Sequence, residues 1–480
     1  MKPADTLLKA LTSSVGARLA MAVLNYGLFW QLSHRLDGAS LGGFSLLMNL
    51  FFLLQGLPLL GLSAPLARRA ATEPGELPGE FSNAWVFALP VALLLVLGTG
   101  GFGHVAYPQP LHAAFWLLAA SLLPTAWVLV AETALLGRER MSLVARLQCL
   151  ESLGRLVLMS VAVWLGGDLT ALFGIFLGLR CLIAVLYAVH PAVPRFSLGL
   201  VRRAVWRRNW AEVPVFLGIA LLAVLSQRLD LILLAKLDGL EAAGVYAAAA
   251  RLYEAALMLP TMAALVMLPA LSRLYVSDGA QFRAMLSQAL RWSLAGGLAV
   301  ALLVAALAPW LIGQLYADHL QDAAALLRCL IFGAVLMTLD QTLSSTMIAA
   351  REQRQDLRAL GLGMTVLVLG LVALVPAYGP LGAAIAVPLG LACRVLWRVR
   401  WAERHLELPG LGRGLLRAAL AGGVGAAALA AASPWGVLAA AAAALSAYLL
   451  SAHFLGVIPS RAWSQARQQL SRLALRQASH

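Results

Sequence analysis

The chain has 480 residues, of which 61% are hydrophobic and only 12% are charged, roughly half the charged share of an ordinary soluble domain. The mean hydropathy is +0.82, and apolar runs of about 20 residues, the length that spans a bilayer, recur from end to end. The formal net charge of +14 does not indicate nucleic acid, because the basic residues lie mainly between the apolar runs. The four cysteines are scattered singly, which supports neither a zinc site nor a disulfide framework. The composition predicts an all-α polytopic membrane protein.

Fourteen apolar segments are predicted to cross the membrane. They are residues 12–33, 41–62, 83–101, 111–133, 148–166, 169–189, 213–235, 242–271, 291–313, 324–348, 359–377, 380–400, 414–433 and 435–456. Counted with the adjoining span ends, 28 of the 36 basic residues fall on the side of the N-terminus, and only Arg35 and Lys236 fall in loops on the other side. By the positive-inside rule, both termini are predicted to be cytoplasmic. The basic residues are almost all Arg, with Lys only at positions 2, 9 and 236, which points to a bacterium and hence to its cytoplasmic (inner) membrane.

A short motif indicates an internal repeat. Arg35-Leu36-Asp37-Gly38 is followed 201 residues later by Lys236-Leu237-Asp238-Gly239. This offset covers six predicted spans, an even number, so corresponding spans run in the same direction through the membrane. Such a pattern predicts a parallel repeat about an axis along the membrane normal. The predicted parts are an N-terminal lobe (1–190), a basic cytoplasmic inter-lobe linker (191–212), a C-terminal lobe (213–402), two peripheral spans (413–456) and a basic amphipathic cytoplasmic tail (460–480).

Two basic segments and three prolines add further expectations. Residues 197–210 and the tail are predicted to lie as amphipathic helices on anionic lipids of the inner leaflet. Pro58, Pro260 and Pro388 are predicted to interrupt spans 2, 8 and 12, because proline removes a helical hydrogen bond. Broken helices of this kind are common in transporters.

The first predicted lobe carries arginines at membrane depth. Its carboxylates near the spans, Glu132 and Glu151, lie close to the inner ends and are not placed to neutralise all of the arginines. Arginine stays charged and grips phosphate through a bidentate fork, so an anionic ligand with a phosphate group is expected. The candidate substrate-binding residues of a cavity are Arg18, Asn25, Asn49, Arg155 and Arg180.

The second predicted lobe mixes acids and bases. The candidates for ion coupling or lobe pairing are Arg228, Asp230, Arg251, Glu254 and Asp340. Arg251 and Glu254 are three residues apart, a spacing that allows an ion pair within one helix. The alternative that such pairs only lock the helical hairpin stays open here. Asp340 has no evident partner in the sequence, which makes it the better candidate for a titrating or cation-binding carboxylate.

Several motifs carry a family resemblance. They are Arg228-Leu-Asp230, Lys236-Leu-Asp-Gly239, Gly244-Val-Tyr246-Ala-Ala-Ala-Ala-Arg251-Leu-Tyr-Glu254, Pro269-Ala-Leu-Ser-Arg273 and Tyr378-Gly-Pro-Leu-Gly-Ala-Ala-Ile-Ala386. With them the chain resembles the Wzx-type flippases, polysaccharide-transport members of the multidrug/oligosaccharidyl-lipid/polysaccharide (MOP) exporter superfamily. The resemblance implies two six-helix lobes plus two C-terminal helices. It also implies movement of a polyprenyl-diphosphate-linked glycan from the inner to the outer leaflet by alternating access.

The same resemblance sets expectations for the site and the partners. Arg18, Arg155 and Arg180 would supply the cationic cavity that related flippases use for lipid-linked precursors. The substrate would be a lipid-linked glycan, with other polysaccharide assembly proteins as further partners. No cofactor is expected, and coupling to H⁺ or Na⁺ is left open.

Two alternative functions are weighed against the flippase. An ion-coupled drug or metabolite exporter of the same superfamily would favour twelve spans and an acidic cavity. An integral-membrane glycan polymerase or glycosyltransferase would need a sizeable outer loop, whereas the predicted outer loops have about ten residues or fewer. Phosphate-binding loops, metal-ligand patterns and nucleophile elbows are absent from the sequence, so a transporter and not an enzyme is predicted.

Overall fold

The computed structural model describes residues 3–73, 75–350, 352–406, 408 and 410–457. Within these ranges the chain forms fifteen α-helices and five short 3-10 helices, and no strand. Fourteen of the α-helices coincide with the fourteen predicted spans, and eleven helices are long and apolar enough to cross a membrane. The prediction of an all-α polytopic membrane protein is confirmed.

The contacts of the backbone divide the chain into two compact units, residues 1–247 and 248–480. The first unit contains α1 (Pro3–Arg35), α2 (Gly38–Leu54), α3 (Ser63–Thr72), α4 (Leu77–Ala106), α5 (His112–Gly137), α6 (Met141–Trp164), α7 (Leu169–Val189), α8 (Arg203–Leu237) and the beginning of α9 (Leu240–Ser277). The second unit contains the rest of α9 with α10 (Gly279–Leu315), α11 (Ala323–Ala349), α12 (Gln353–Tyr378), α13 (Pro380–His405), α14 (Leu411–Ala432) and α15 (Val437–Phe454).

The first unit is built around α5, which contacts α3, α4 and α7. Phe81 and Tyr187 are fully buried in its core, and α1 packs along α6. The helix α2 is buried along most of its length and contacts α5, α7 and α8. Because α8 packs against α2, it belongs to the first compact unit. The predicted lobe boundaries, 1–190 and 213–402, stay a prediction.

The second unit is built around α10 and α11. The helices α14 and α15 pack against each other and against α10, and α13 packs against α11 and α12. The buried Tyr448 of α15 donates a hydrogen bond of 2.8 Å to the backbone carbonyl of Ala295 in α10. The last two long helices are therefore held by packing and by a polar contact at this point.

Several helices are longer than the predicted spans. The helix α10 starts at Gly279 directly after Asp278, whose side chain caps it by accepting the backbone N–H of Gln281 at 2.9 Å. The helix α8 starts at Arg203, so residues 203–210 are its first turns and not a separate surface helix as predicted. Their tryptophans, Trp206 and Trp210, contact the Phe87 ring with centroid distances of 6.0 and 5.3 Å. The predicted tail, 460–480, lies outside the described residues.

One of the three prolines interrupts its span, and the other two do not. The helix α2 ends at Leu54, and Pro58 lies in a 3-10 turn followed by Leu60, whose φ of 47° is left-handed. The predicted interruption of span 2 is thus confirmed. Pro260 and Pro388 lie inside the continuous helices α9 and α13, so the other two predicted interruptions are wrong. A membrane helix tolerates proline because local adjustments and neighbouring groups satisfy the freed carbonyl.

Candidate functional site

One end of α2 holds an arginine of α8. Asn49 is buried, and its side-chain amide donates to the carbonyl of Ser45 at 2.9 Å. Its side-chain oxygen accepts a hydrogen bond of 3.1 Å from the guanidinium of Arg228. The same guanidinium lies 5.0 Å from the centre of the Phe52 ring, within the range of a cation–π contact. The sequence names Asn49 and Arg228 as separate candidates, and the structure brings them together.

Two further arginines share one carboxylate beside α2. Nε of Arg180 in α7 lies 3.3 Å, and Nε of Arg155 in α6 lies 3.9 Å, from the same oxygen of Glu151. The three side chains are between 6% and 10% exposed. The sequence places Glu151 near the inner end of a span, and the structure shows that this one carboxylate serves two of the arginines. Because one carboxylate serves two guanidinium groups, the trio keeps one positive charge.

Aromatic rings surround these arginines. The guanidinium of Arg180 lies 4.8 Å from the Phe51 ring centre and 5.6 Å from that of Phe176, and Arg155 lies 5.9 Å from Phe176. The Phe51 and Phe52 rings of α2 also contact each other, at 6.0 Å. The segment 49–52 of α2 therefore connects the Arg228 contact to the Arg155–Arg180 trio.

A second carboxylate borders the trio. Glu132 of α5 accepts hydrogen bonds of 3.0 Å from the side-chain amide of Gln148 and from the hydroxyl of Tyr187. The Coulomb fields of Arg180 and Glu151 both act on it. Glu132 therefore brings a second carboxyl group into the electrostatic neighbourhood of Arg180 and Glu151. Sequence reasoning placed Glu132 at the inner end of a span and missed this contact across three helices.

The two remaining cavity candidates belong to α1. Asn25 donates from its side-chain amide to the carbonyl of Met21 at 2.8 Å, within its own helix α1. Arg18 belongs to the same helix, but its side chain lies outside the part of the chain that the structure describes. Its predicted role as a phosphate ligand stays a prediction.

The candidates for coupling have definite partners. The carboxylate of Asp230 accepts a hydrogen bond of 2.6 Å from the hydroxyl of Tyr246, which joins α8 to the start of α9. Arg251 and Glu254 form the predicted ion pair within α9, at 3.1 Å. Their side chains are 21% and 38% exposed, so the pair is only partly shielded from its surroundings.

Asp340 differs from its prediction. Its carboxylate binds the guanidinium groups of both Arg394 and Arg398 of α13. Arg398, only 2% exposed, also bonds the carboxylate of Asp356 at 2.8 Å, and Ser344 donates to the same carboxylate at 3.1 Å. The expectation that Asp340 lacks a partner is wrong, and its role as a titrating or cation-binding carboxylate stays a prediction. The available signal was the i, i+4 spacing of the two arginines, which places both on one face of α13.

The long apolar helices and their packing define a multi-pass, all-α integral membrane protein with the fold of MOP-superfamily transporters. The model of the polysaccharide biosynthesis protein family matches residues 7–275, more than half of the chain, and the chain belongs to that family. This confirms the resemblance inferred from the sequence motifs.

Solved structures give the same fold at low sequence identity. A structure of the lipid II flippase MurJ in an inward closed conformation is 12% identical, with a TM-score of 0.70 over 92% of this chain and 98% of MurJ. An inward-facing multidrug resistance MATE family transporter is 14% identical, with a TM-score of 0.67 over 81% of this chain and 94% of the transporter. A MOP superfamily transporter from Pyrococcus furiosus, described as having a binding pocket of reverse polarity, is 16% identical with a TM-score of 0.54, over 83% of this chain and 93% of that one. No curated protein matches this chain.

Proposed function

We propose that this protein is a flippase that moves a polyprenyl-diphosphate-linked oligosaccharide or polysaccharide precursor from the inner to the outer leaflet by alternating access. Membership of the polysaccharide biosynthesis family supports a glycan as the cargo. The likeness to the lipid II flippase supports a cargo that is linked to a lipid. The membrane would be the bacterial inner membrane, with both termini in the cytoplasm. Other polysaccharide assembly proteins would supply and consume the cargo.

The observation that carries the proposal is the pair Arg155 and Arg180 on the single carboxylate of Glu151. A buried guanidinium needs an anion, because an uncompensated charge in a low-dielectric interior is costly. Glu151 meets this need while the site holds no cargo. A diphosphate offers more acceptor oxygens and more negative charge than one carboxylate, and arginine binds it through two parallel hydrogen bonds.

The chemistry of transport then becomes an exchange of anions. When the diphosphate reaches the arginines, it takes the place of Glu151, and when the diphosphate leaves on the other side, Glu151 returns. The carboxylate therefore compensates the charge of the arginines while no cargo is bound, and its return favours release of the cargo. Arg228, held by Asn49, and Arg18 would add contacts to the diphosphate or to the first sugars.

A proton or a sodium ion would drive the cycle through the polar residues of the α8–α9 hairpin. Asp230 is bonded to Tyr246, and Glu254 is paired with Arg251 and partly exposed, so both carboxylates have contacts that a cation would change. Asp340 is not among these residues because two arginines neutralise it.

The test is a flipping assay with the purified protein in proteoliposomes. Polyprenyl-diphosphate glycans and organic cations are offered in turn, and transfer between leaflets is measured. We expect transfer of the glycan lipid and at least a tenfold loss in Arg180→Ala, with partial recovery in Arg180→Lys, since lysine keeps the charge but lacks the fork.

Arg328→Ala is the matched control, because Arg328 is a half-buried arginine of α11 that bonds only a backbone carbonyl at 3.1 Å among the contacts described for it. Transport of organic cations without transport of the glycan lipid would instead establish the drug exporter, a function that the likeness to the MATE transporter favours.

A further inference from the structure

We propose that a cavity within the second unit binds the headgroup of an anionic phospholipid from the inner leaflet. The cavity has a volume of about 560 Å³ and lies among α10, α11, α13, the start of α14 and the segment after α15. Three arginines line it, namely Arg291 of α10 and Arg413 and Arg417 of α14. This site is separate from the arginines of the first unit, and it does not depend on the proposed function.

The charged residues in the described lining of the cavity are all basic. Arg413 and Arg417 are four residues apart, so they lie on one face of α14. No acidic residue belongs to the described lining, and no hydrogen bond or ion pair joins the three guanidinium groups to another residue in the described ranges. The nearby Glu403 accepts the backbone N–H of Gly412 at 2.9 Å, and no ion pair joins it to the three arginines in the described ranges. Three cations that share no ion pair within the described ranges predict an anionic ligand, and a phosphodiester suits the arginine fork.

The rest of the wall is apolar. Leu290 and Leu294 of α10 line one side, and Leu339 and Leu343 of α11 line another. A free phosphate or a nucleotide gains nothing from leucine side chains, whereas a phospholipid carries acyl chains directly beside its phosphate. The combination of arginines and leucines therefore favours a lipid over a soluble anion.

The position of the cavity also fits a headgroup. Arg413 and Arg417 lie in the first two turns of α14, which starts at Leu411, and Gly456 and Val457 follow the end of α15 at Phe454. These are the levels at which apolar helices leave the bilayer, where arginine is stable beside lipid phosphates. By the distribution of basic residues in the sequence this end faces the cytoplasm, which selects the inner leaflet.

The cavity does not continue across the second unit along α10. Directly after Leu294, the carbonyl of Ala295 accepts a hydrogen bond from the hydroxyl of Tyr448, and one turn beyond Leu294, Leu298 lies against Gly422. A turn further, Leu302 lies so close to Gly425 that a methyl group there would meet it at 2.6 Å. Because α10, α14 and α15 close in this way, a ligand that enters at the headgroup level stays there. The occupant is thus a resident phospholipid and not the transported cargo.

The experiment uses the purified full-length protein, stripped of lipid in detergent. Phosphatidylglycerol, phosphatidylcholine, glycerol phosphate and inorganic phosphate are added in turn, and binding is followed by native mass spectrometry and by the shift in melting temperature. We expect phosphatidylglycerol alone to bind and to raise the melting temperature. An equal effect of glycerol phosphate or inorganic phosphate would assign the cavity to a soluble anion and overturn the proposal.

Two variants locate the binding. The triple change Arg291→Gln, Arg413→Gln and Arg417→Gln is expected to weaken phosphatidylglycerol binding at least tenfold. A control with Arg140→Gln, Arg146→Gln and Arg354→Gln removes the same charge from exposed arginines elsewhere and is expected to keep the binding. Leu294→Trp fills the cavity and leaves the arginines, and we expect it to abolish the lipid-dependent shift while the lipid-free melting temperature stays within a few degrees. Unchanged phosphatidylglycerol binding in the triple variant, or an equal loss in the control, contradicts the proposed site.

Discussion

Gly42 and Gly244 lie backbone to backbone where α2 and α9 begin. A methyl group on Gly42 would lie 2.9 Å from the backbone nitrogen of Gly244 and would overlap the carbonyl of Leu240. A methyl group on Gly244 would lie 3.2 Å from the nitrogen of Gly42 and would overlap the carbonyl of Gly38. Gly42 and Gly38 precede Gly244 and Leu240 by the same 202 positions, so the contact is reciprocal. The two copies of the repeated turn therefore meet at this point of the first unit.

We expect Gly42→Ala to weaken this contact. The added methyl group has no flexible side chain to displace, only backbone, so the two helix starts must separate, at a cost of about 1–3 kcal/mol. If alternating access requires the starts of α2 and α9 to come together, Gly42→Ala should reduce glycan-lipid transfer at least tenfold in proteoliposomes. Gly244→Ala should cause the same loss. Gly98→Ala in α4 is the control, because a methyl group there meets only open space. Full transfer by Gly42→Ala would show that transport does not require the contact between the starts of α2 and α9.

The sequence predicts the helices well because the signals for each helix, its apolar run and its end residues, are local in the sequence. Apolar runs place fourteen long helices, and the recurring Asp-Gly turn marks where α1 gives way to α2 and α8 to α9. Helix ends outside the bilayer are less predictable, since α10 extends to Gly279 through a stretch whose polar residues resemble a loop. The capping side chain of Asp278 is the local signal for that start.

The partners of buried charges are harder to predict because most are far apart in sequence. The Arg228–Asn49 contact joins residues 179 positions apart, and only the packing of α8 on α2 brings them together. The Glu151–Arg155 pair is different, since its i, i+4 spacing could be read from the sequence. The Asp340 cluster combines both cases, with two arginines on one face of α13 and an acceptor on another helix.

Topology is tested with single cysteines in a background without the four native ones. Asp238→Cys, in the turn between α8 and α9, should react with an impermeant maleimide in intact cells from the outer side. Arg140→Cys, in the turn before α6, should react only after the membrane is opened. Both expectations follow from the 28 basic residues counted on the predicted inner side and the two in outer loops. Labelling of Arg140→Cys in intact cells would reverse the orientation proposed for the protein and for its lipid site.

The Asp340 cluster is expected to stabilise the second unit and not to couple transport to an ion. Asp340→Asn leaves Arg394 and Arg398 without the charge that both contact, which for a buried pair costs about 3–5 kcal/mol of unfolding free energy. Arg358→Gln, at an exposed site of α12, should change stability by no more than about 0.5 kcal/mol. Unfolding in detergent and the pH dependence of transport are measured together. An Asp340→Asn variant of normal stability whose transport no longer responds to pH would assign Asp340 to coupling after all.

Glu151→Gln separates the roles of the carboxylate and of its arginines. Without cargo, the change strands two buried guanidinium groups, so the melting temperature should fall. With a polyprenyl diphosphate added, the ligand supplies the missing anion and no longer competes with Glu151, so the rise in melting temperature should exceed that of the unmodified protein. Tighter binding also slows release, and transfer between leaflets should therefore decrease even though affinity increases. Glu76→Gln, an exposed acid before α4, is the control for loss of one negative charge. If Glu151→Gln is destabilised and the diphosphate restores nothing, the trio is a structural ion pair and the cargo binds elsewhere.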